Sequence, residues 1–172
     1  MKTSRKQLLA ITLVALLSIA AISASSNAAD NLHATKIVIE KSQHKMLLMD
    51  GKTVLRTYTV ALGRGGAGPK VREGDEKTPE GLYRISGRKR ESGYHYALII
   101  SYPAAKDIAA ARKLGVKPGG DIMIHGIRNG LGWLGGAHRM LDWTAGCIAV
   151  TDSEIDEIAR AVPDGTPVEI RP

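Results

Sequence analysis

The chain has a single cysteine, Cys147, set in the run Asp142-Trp-Thr-Ala-Gly-Cys-Ile-Ala-Val150. A thiol becomes a competent nucleophile when a neighbouring imidazole or backbone dipole stabilises its thiolate, as in cysteine acyl-transfer enzymes. Gly146 lets the backbone bend and lets a carbonyl substrate come close, and the amides around Gly146 and Cys147 are the expected oxyanion donors. Five histidines are available as the base. His33 and His44 lie in or near amino-terminal strands, and His95 follows Gly93-Tyr94 in a turn. His125 ends an apolar strand and precedes Gly126, a placement expected to expose its ring at a sheet rim. His138 lies in a loop nine residues before the cysteine. Spacing favours His125 and leaves His138 open. The bland readings are a buried apolar thiol, a hydrogen-bonded structural histidine and a solvated loop histidine. One cysteine and scattered histidines match no zinc-ligand spacing, so neither a metal nor a cofactor is expected. The absence of a Cys-x-x-Cys pair argues against a thiol oxidoreductase.

A lone thiol is informative because the chain begins like an exported protein. Lys2, Arg5 and Lys6 precede an apolar stretch from Leu8 to Ala21, and Ser26-Asn-Ala28 offers small residues for cleavage. Residues 1–28 therefore read as a signal peptide, with an uncleaved anchor as the alternative. The apolar run is shorter than the roughly 20 residues a bilayer span needs. Exported chains usually pair or avoid cysteines, so a retained thiol points to chemistry in the periplasm or cell envelope. No stable membrane span is expected after cleavage. Of 172 residues, 144 then remain, enough for one domain, and the formal charge falls from +7 to +4. That surplus suits an anionic wall. No Lys/Arg stripe with interleaved aromatics suggests nucleic acid, and Arg88-Lys89-Arg90 reads as a solvated strand end.

The elements that must position these residues are mostly strands. Lys36–Glu40 and Lys45–Met49 are short apolar runs, Asp50-Gly51 signals a type I′ hairpin turn, and Thr53–Leu62 returns with alternation. Residues 63–69 hold four glycines without the Walker lysine, and read as a surface loop at a substrate rim. Thr78-Pro-Glu-Gly feeds a strand with Tyr83 and Ile85 on one face. A strand at Tyr96–Ser101 precedes a helix over 103–114, with Pro103 in its first turn and Gly115 as its stop. Strands follow at Asp121–Gly126 and Cys147–Val150, separated by a glycine-rich irregular segment, 127–141. A helix over Ser153–Ala161 carries Thr151 and Glu154 at capping-box spacing, and Thr166–Arg171 closes the sheet. With no phenylalanine, the core must rest on Ile, Leu, Val, Met and Ala. Trp133 and Trp143, bracketing the loop before the cysteine, read as core packing under it or as cleft lining. The fold class is mainly β, one domain with two short helices.

Thr78-Pro-Glu-Gly-Leu-Tyr83, Ile124-His-Gly126 and Thr144-Ala-Gly-Cys-Ile148, in that order, resemble the L,D-transpeptidase catalytic domain of the YkuD type, in particular its exported YafK-like branch. The likeness spans residues 36–171. It implies a β-sandwich-like fold with a cysteine and a histidine facing each other at a cleft, and action on peptidoglycan stem peptides. By resemblance Cys147 is the nucleophile, His125 the base, Gly146 the preceding glycine and Thr144 the opening residue of the signature. Ala145 and Ala149 replace residues that are often polar or charged in the family. Arg139 or Arg128 is then the candidate to hold a substrate carboxylate. The implied reaction is cysteine-dependent transpeptidation through a thioester, in wall cross-linking or remodelling. The alternatives are an endopeptidase or carboxypeptidase using water, for example one releasing a wall-anchored lipoprotein, and a non-catalytic peptidoglycan-binding module.

Overall fold

The computed structural model describes residues 32–90 and 93–172, so the signal peptide expected over 1–28 lies outside the described residues. Among them the strands are β1 (Lys36–Glu40), β2 (Lys45–Asp50), β3 (Thr53–Thr59), β4 (Gly81–Lys89), β5 (Ala97–Ile100), β6 (Met123–His125), β7 (Ile148–Ala149) and β8 (Pro167–Arg171). Helix α1 is Ala105–Lys113 and α2 is Asp152–Ala161. Among the described residues the fold is mainly β with two short α-helices, as expected, and 3-10 turns at Lys41–Gln43 and Gly132–Met140. Its sandwich is one eight-stranded sheet in the order β3-β2-β1-β8-β4-β5-β6-β7.

The sheet curls until its edges meet. Beyond β3 the chain runs back to β7, and Ala61 and Ala149 exchange N–H···O bonds of 3.0 and 2.9 Å. Edge strands left open invite pairing with other chains, and this contact covers both edges locally. The last strand does not flank the sheet as its position in the sequence suggests. β8 is central, parallel to β1 and antiparallel to β4.

Burial follows side-chain chemistry. β1 is covered on both faces, with Ile37, Val38 and Ile39 at 1 % exposure or less, whereas β4 alternates buried Tyr83 and Ile85 with Leu82 at 71 %. In α2, Ile155, Ile158 and Ala161 recur at helical spacing and are fully buried. Each fully buried isoleucine contributes about 1.5–3 kcal/mol. The expected Thr151/Glu154 capping box is formed. Tyrosines join the aliphatic core because their hydroxyls find partners: Tyr58 donates to Glu157 at 3.0 Å and Tyr102 to the Pro118 carbonyl at 2.9 Å.

Three local expectations shift. The hairpin turn is Gly51-Lys52, with Asp50 pairing Thr53 inside the ladder and only Gly51 at positive φ (+55°), so it is not type I′. Pro103 precedes α1, and Ala104 is its cap. Arg88 is a clamp rather than a solvated end, reaching Asp164 and the carbonyls of Ala159 and Val162.

Candidate active site

β6 and β7 are parallel neighbours with Ile124 opposite Ile148 and His125 opposite Ala149. Cys147 sits immediately before β7, two residues upstream of Ala149. The strand period of two therefore directs its side chain to the face that carries His125. The thiol is half-buried and is the only cysteine in the chain. Its Sγ lies 3.5 Å from the Asp121 carbonyl, which accepts the thiol proton, and the Met123 N–H points at the sulfur. Burial pushes the Cys147 pKa up; the Met123 N–H and the Lys70 ammonium pull it back only in part, and Asp121 adds to the rise. The resting group is a thiol.

His125 is not exposed at a rim as expected but buried, at 1 % exposure. Its ring stacks on Tyr94 at 4.0 Å between centroids and meets Trp143 edge-on at 5.7 Å. Nδ1 donates to the Gly126 carbonyl at 2.7 Å, which leaves Nε2 as the lone-pair nitrogen. Burial lowers the His125 pKa, the Gly126 carbonyl partly offsets this, and His138 adds to the lowering. The imidazole is neutral at neutral pH. No hydrogen bond joins Cys147 and His125 among the described residues. A neutral thiol and a neutral imidazole on one face suit general-base activation, in which the thiolate forms as attack proceeds.

The turn before the thiol is built by Thr144. Its Oγ1 donates to the Cys147 carbonyl at 2.7 Å and accepts from the Gly146 N–H at 3.1 Å. The Gly146 amide is thereby committed inside the turn. Gly146 has φ +127°, and a Cβ there would lie 2.7 Å from the Lys77 carbonyl. The glycine is thus demanded by a neighbouring loop as well as by the turn itself. That loop, residues 63–78, is drawn shut at its neck by Gly63 N–H to Thr78 Oγ1 (3.0 Å) and Gly65 N–H to the Glu76 carbonyl (2.9 Å).

Two buried charges hold the loop. Asp75 accepts from Lys70 Nζ (2.8 Å) and from the N–H groups of Val71, Arg72 and Lys77. Burial opposes the charge on Asp75, but the ammonium and the three amides outweigh it and bring the pKa down to about 2. Lys41, also buried, donates to the carbonyls of Gly68 and Thr78 and pairs with Glu80 at 2.7 Å. The loop read from its glycines as a simple rim is therefore a wall packed against the nucleophile turn.

The remaining expected residues fall as follows. Gly126 supplies the carbonyl for His125, and a Cβ on it would lie 2.7 Å from Asp152 Oδ1. Arg139 turns away to Glu154 (3.0 Å) and the Thr59 carbonyl (2.8 Å). Arg128 is exposed on the wall of a cavity lined by neither Cys147 nor His125. His138 is separated from His125 by Trp143, whose Nε1 donates to His138 Nδ1 at 3.3 Å. Ala149 is fully buried where the sheet edges meet. Trp133 is 79 % exposed, contrary to core packing. Tyr94, which reads from sequence as core or sheet-surface packing, stacks on His125 and also lines the cavity wall. Lys70, Asp75, Asp121 and Asp152 were not singled out by the sequence; each acts through a fold-dependent contact that no local motif signals. Among the described residues no group of acidic, His and Cys side chains has metal-binding geometry.

A family model, YkuD, the L,D-transpeptidase catalytic domain, matches residues 34–170, and the chain belongs to that family. It is similar to the YafK protein of Escherichia coli (strain K12), at 34 % identity over 111 residues that cover 63 % of this chain and 37 % of that one. Among solved structures it resembles the helical cell shape determining protein Pgp2 from Campylobacter jejuni, at 25 % identity and a TM-score of 0.60, covering 78 % of this chain and 46 % of that one. The L,D-transpeptidase from Xylanimonas cellulosilytica shares the fold at 14 % identity and a TM-score of 0.55, covering 81 % of this chain and 61 % of that one. The chain thus spans well under half the length of YafK. No helix among the described residues is long and apolar enough to cross a membrane.

Proposed function

We propose that the chain is a cysteine-dependent L,D-transpeptidase acting on peptidoglycan stem peptides in the cell envelope, through a thioester on Cys147. The observation that carries this reading is the β6–β7 register, which directs Cys147 and His125 to one face while the Gly126 carbonyl fixes the imidazole with Nε2 free. In the first half-reaction Cys147 Sγ attacks the donor amide carbon and its proton passes to His125 Nε2. Because the Gly146 amide is committed to Thr144, the Cys147 N–H is the donor for the oxyanion. Collapse breaks the C–N bond, and His125 returns the proton to the departing amine. In the second half-reaction an amine attacks the thioester, His125 takes its proton, and the thiol is regenerated. No metal or organic cofactor enters the cycle.

Incubation with a disaccharide tetrapeptide, with and without an added amine acceptor, tests the proposal by product mass spectrometry. Amine-exchanged or cross-linked product that disappears in Cys147→Ala is the expected result. Hydrolysis alone assigns the same site to an endopeptidase or carboxypeptidase, the class that would free a wall-attached lipoprotein. Turnover retained in Cys147→Ala overturns the mechanism.

A further inference from the structure

The hydrogen bond that fixes the His125 ring is not an isolated contact. Its acceptor, the Gly126 carbonyl, belongs to the same peptide unit as the Ile127 N–H. The carbonyl side accepts from His125 Nδ1 at 2.7 Å, and the N–H side donates to Asp152 Oδ1 at 2.8 Å. One peptide is therefore gripped at both ends, by the imidazole and by a carboxylate. Gly126 makes the second grip possible, because a Cβ there would lie 2.7 Å from Oδ1. Asp152 is the first residue of α2, yet the capping box of that helix is made by Thr151 and Glu154 and leaves the Asp152 side chain to the peptide.

An amide whose N–H faces an anion is polarised, and its oxygen becomes a stronger acceptor, since hydrogen bonds in a chain reinforce one another. Asp152 forms no ion pair among the described residues, so no cation neutralises the charge that does this. In a Ser-His-Asp triad a carboxylate faces Nδ1 directly, fixing the tautomer and steadying the imidazolium that forms. Here a backbone carbonyl holds that place, and the carboxylate stands one peptide behind it.

We propose that Asp152 is a positioning residue for His125, acting through the Gly126–Ile127 peptide: its carboxylate holds that carbonyl on Nδ1–H and strengthens it as a proton arrives at Nε2. Its part in acylation rests on His125 being the base, whereas the coupling to the ring does not, so the test begins with the free protein. Proton and nitrogen-15 NMR of the His125 imidazole, titrated against pH, compares wild type, Asp152→Asn and Asp156→Asn, with circular dichroism to confirm folding and carbapenem acylation of Cys147 followed by intact mass. Asparagine keeps an acceptor for the Ile127 N–H and removes only the charge. Asp156, on the same helix, bonds His95 at 3.0 Å instead of the peptide and reports any general effect of a lost carboxylate. The other titratable groups facing the ring or its peptide, namely Tyr94, His95, His138 and Cys147, are common to all three proteins.

In Asp152→Asn the Nδ1 proton resonance is expected to move upfield, the ring to titrate at lower pH than in wild type, and acylation to slow about tenfold, the order by which a charge-assisted hydrogen bond exceeds a neutral one. Asp156→Asn should match wild type in all three. An unchanged ring in folded Asp152→Asn, or an equal change in Asp156→Asn, would overturn the proposal. Asp152→Ser, a shorter neutral acceptor, takes the same reading if the asparagine variant does not fold. Should wild type itself resist acylation, the transpeptidase reading fails and the ring titration still decides the coupling.

Discussion

Two walls meet at Cys147, and they are built on different physics. One is strand β6, whose ladder with β5 and β7 fixes the position of His125 and brings the Met123 N–H to the thiol. The other is the loop 63–78, which has no ladder and owes its shape to Asp75, Lys70 and Lys41. A ladder distributes position over many backbone bonds and is indifferent to pH. A loop held by a few charged side chains is position-specific and loses part of its hold when Asp75 is protonated. The proposed chemistry therefore depends on the strand wall, and the pH-sensitive contacts lie on the loop wall.

Substitutions sharpen that division. On the strand side the largest effect is expected for Cys147→Ala, with complete loss of thioester formation and of acylation by a carbapenem, read by intact mass, and no change in melting. His125→Ala should slow acylation by about 10²–10⁴-fold. Because the His125 pKa is lowered, the acid limb of the acylation rate should lie below the usual histidine range, and because the thiol pKa is raised, iodoacetamide should alkylate Cys147 slowly at pH 7. Fast alkylation at neutral pH would mean a resident thiolate, against the neutral pair described above.

On the loop side, effects should appear first in stability. Gly146→Ala places a Cβ 2.7 Å from the Lys77 carbonyl at a φ of +127°, and the backbone strain alone costs about 1–3 kcal/mol, measurable by urea unfolding. Asp75→Asn should cost about 2 kcal/mol at pH 7, since the folded pKa of about 2 lies well below the ordinary 3.8. The folded value is depressed, so this contribution is full above about pH 4 and fades as pH falls towards 2. Wild type and Asp75→Asn should converge in stability over that window. A gap that persists at pH 2 would assign the effect to packing. Thr151→Ala, which removes a helix cap and no contact with the thiol or the imidazole, should cost about 1 kcal/mol with acylation unchanged.

The same division decides what was legible in the sequence. Short apolar runs exposed β1 and β2, alternation exposed β3 and β4, and the Thr151/Glu154 spacing exposed the start of α2, because those signals are local. The order Ile124-His-Gly126 and then Thr144-Ala-Gly-Cys147 pointed to the cysteine and histidine as a pair. What stayed hidden depends on distant segments. The burial of His125 comes from Tyr94 and Trp143 folding over it, and the requirement for Gly146 comes from Lys77, far away in sequence. The glycines of 63–69 suggested a simple rim, since nothing in their spacing reveals that Asp75 and Lys41 pin the loop. Arg139 looked available because its partner, Glu154, belongs to another element. β8 was read as the closing strand, and only its pairing with β1 and β4 makes it central.

The most direct test of the account is peptide-mapped mass spectrometry of the acyl-enzyme trapped from the disaccharide tetrapeptide, run on wild type, Cys147→Ala and His125→Ala. A donor adduct is expected on Cys147 in wild type, none in Cys147→Ala, and one that accumulates far more slowly in His125→Ala. Turnover without an adduct on Cys147, or accumulation in His125→Ala at the wild-type rate, would contradict it.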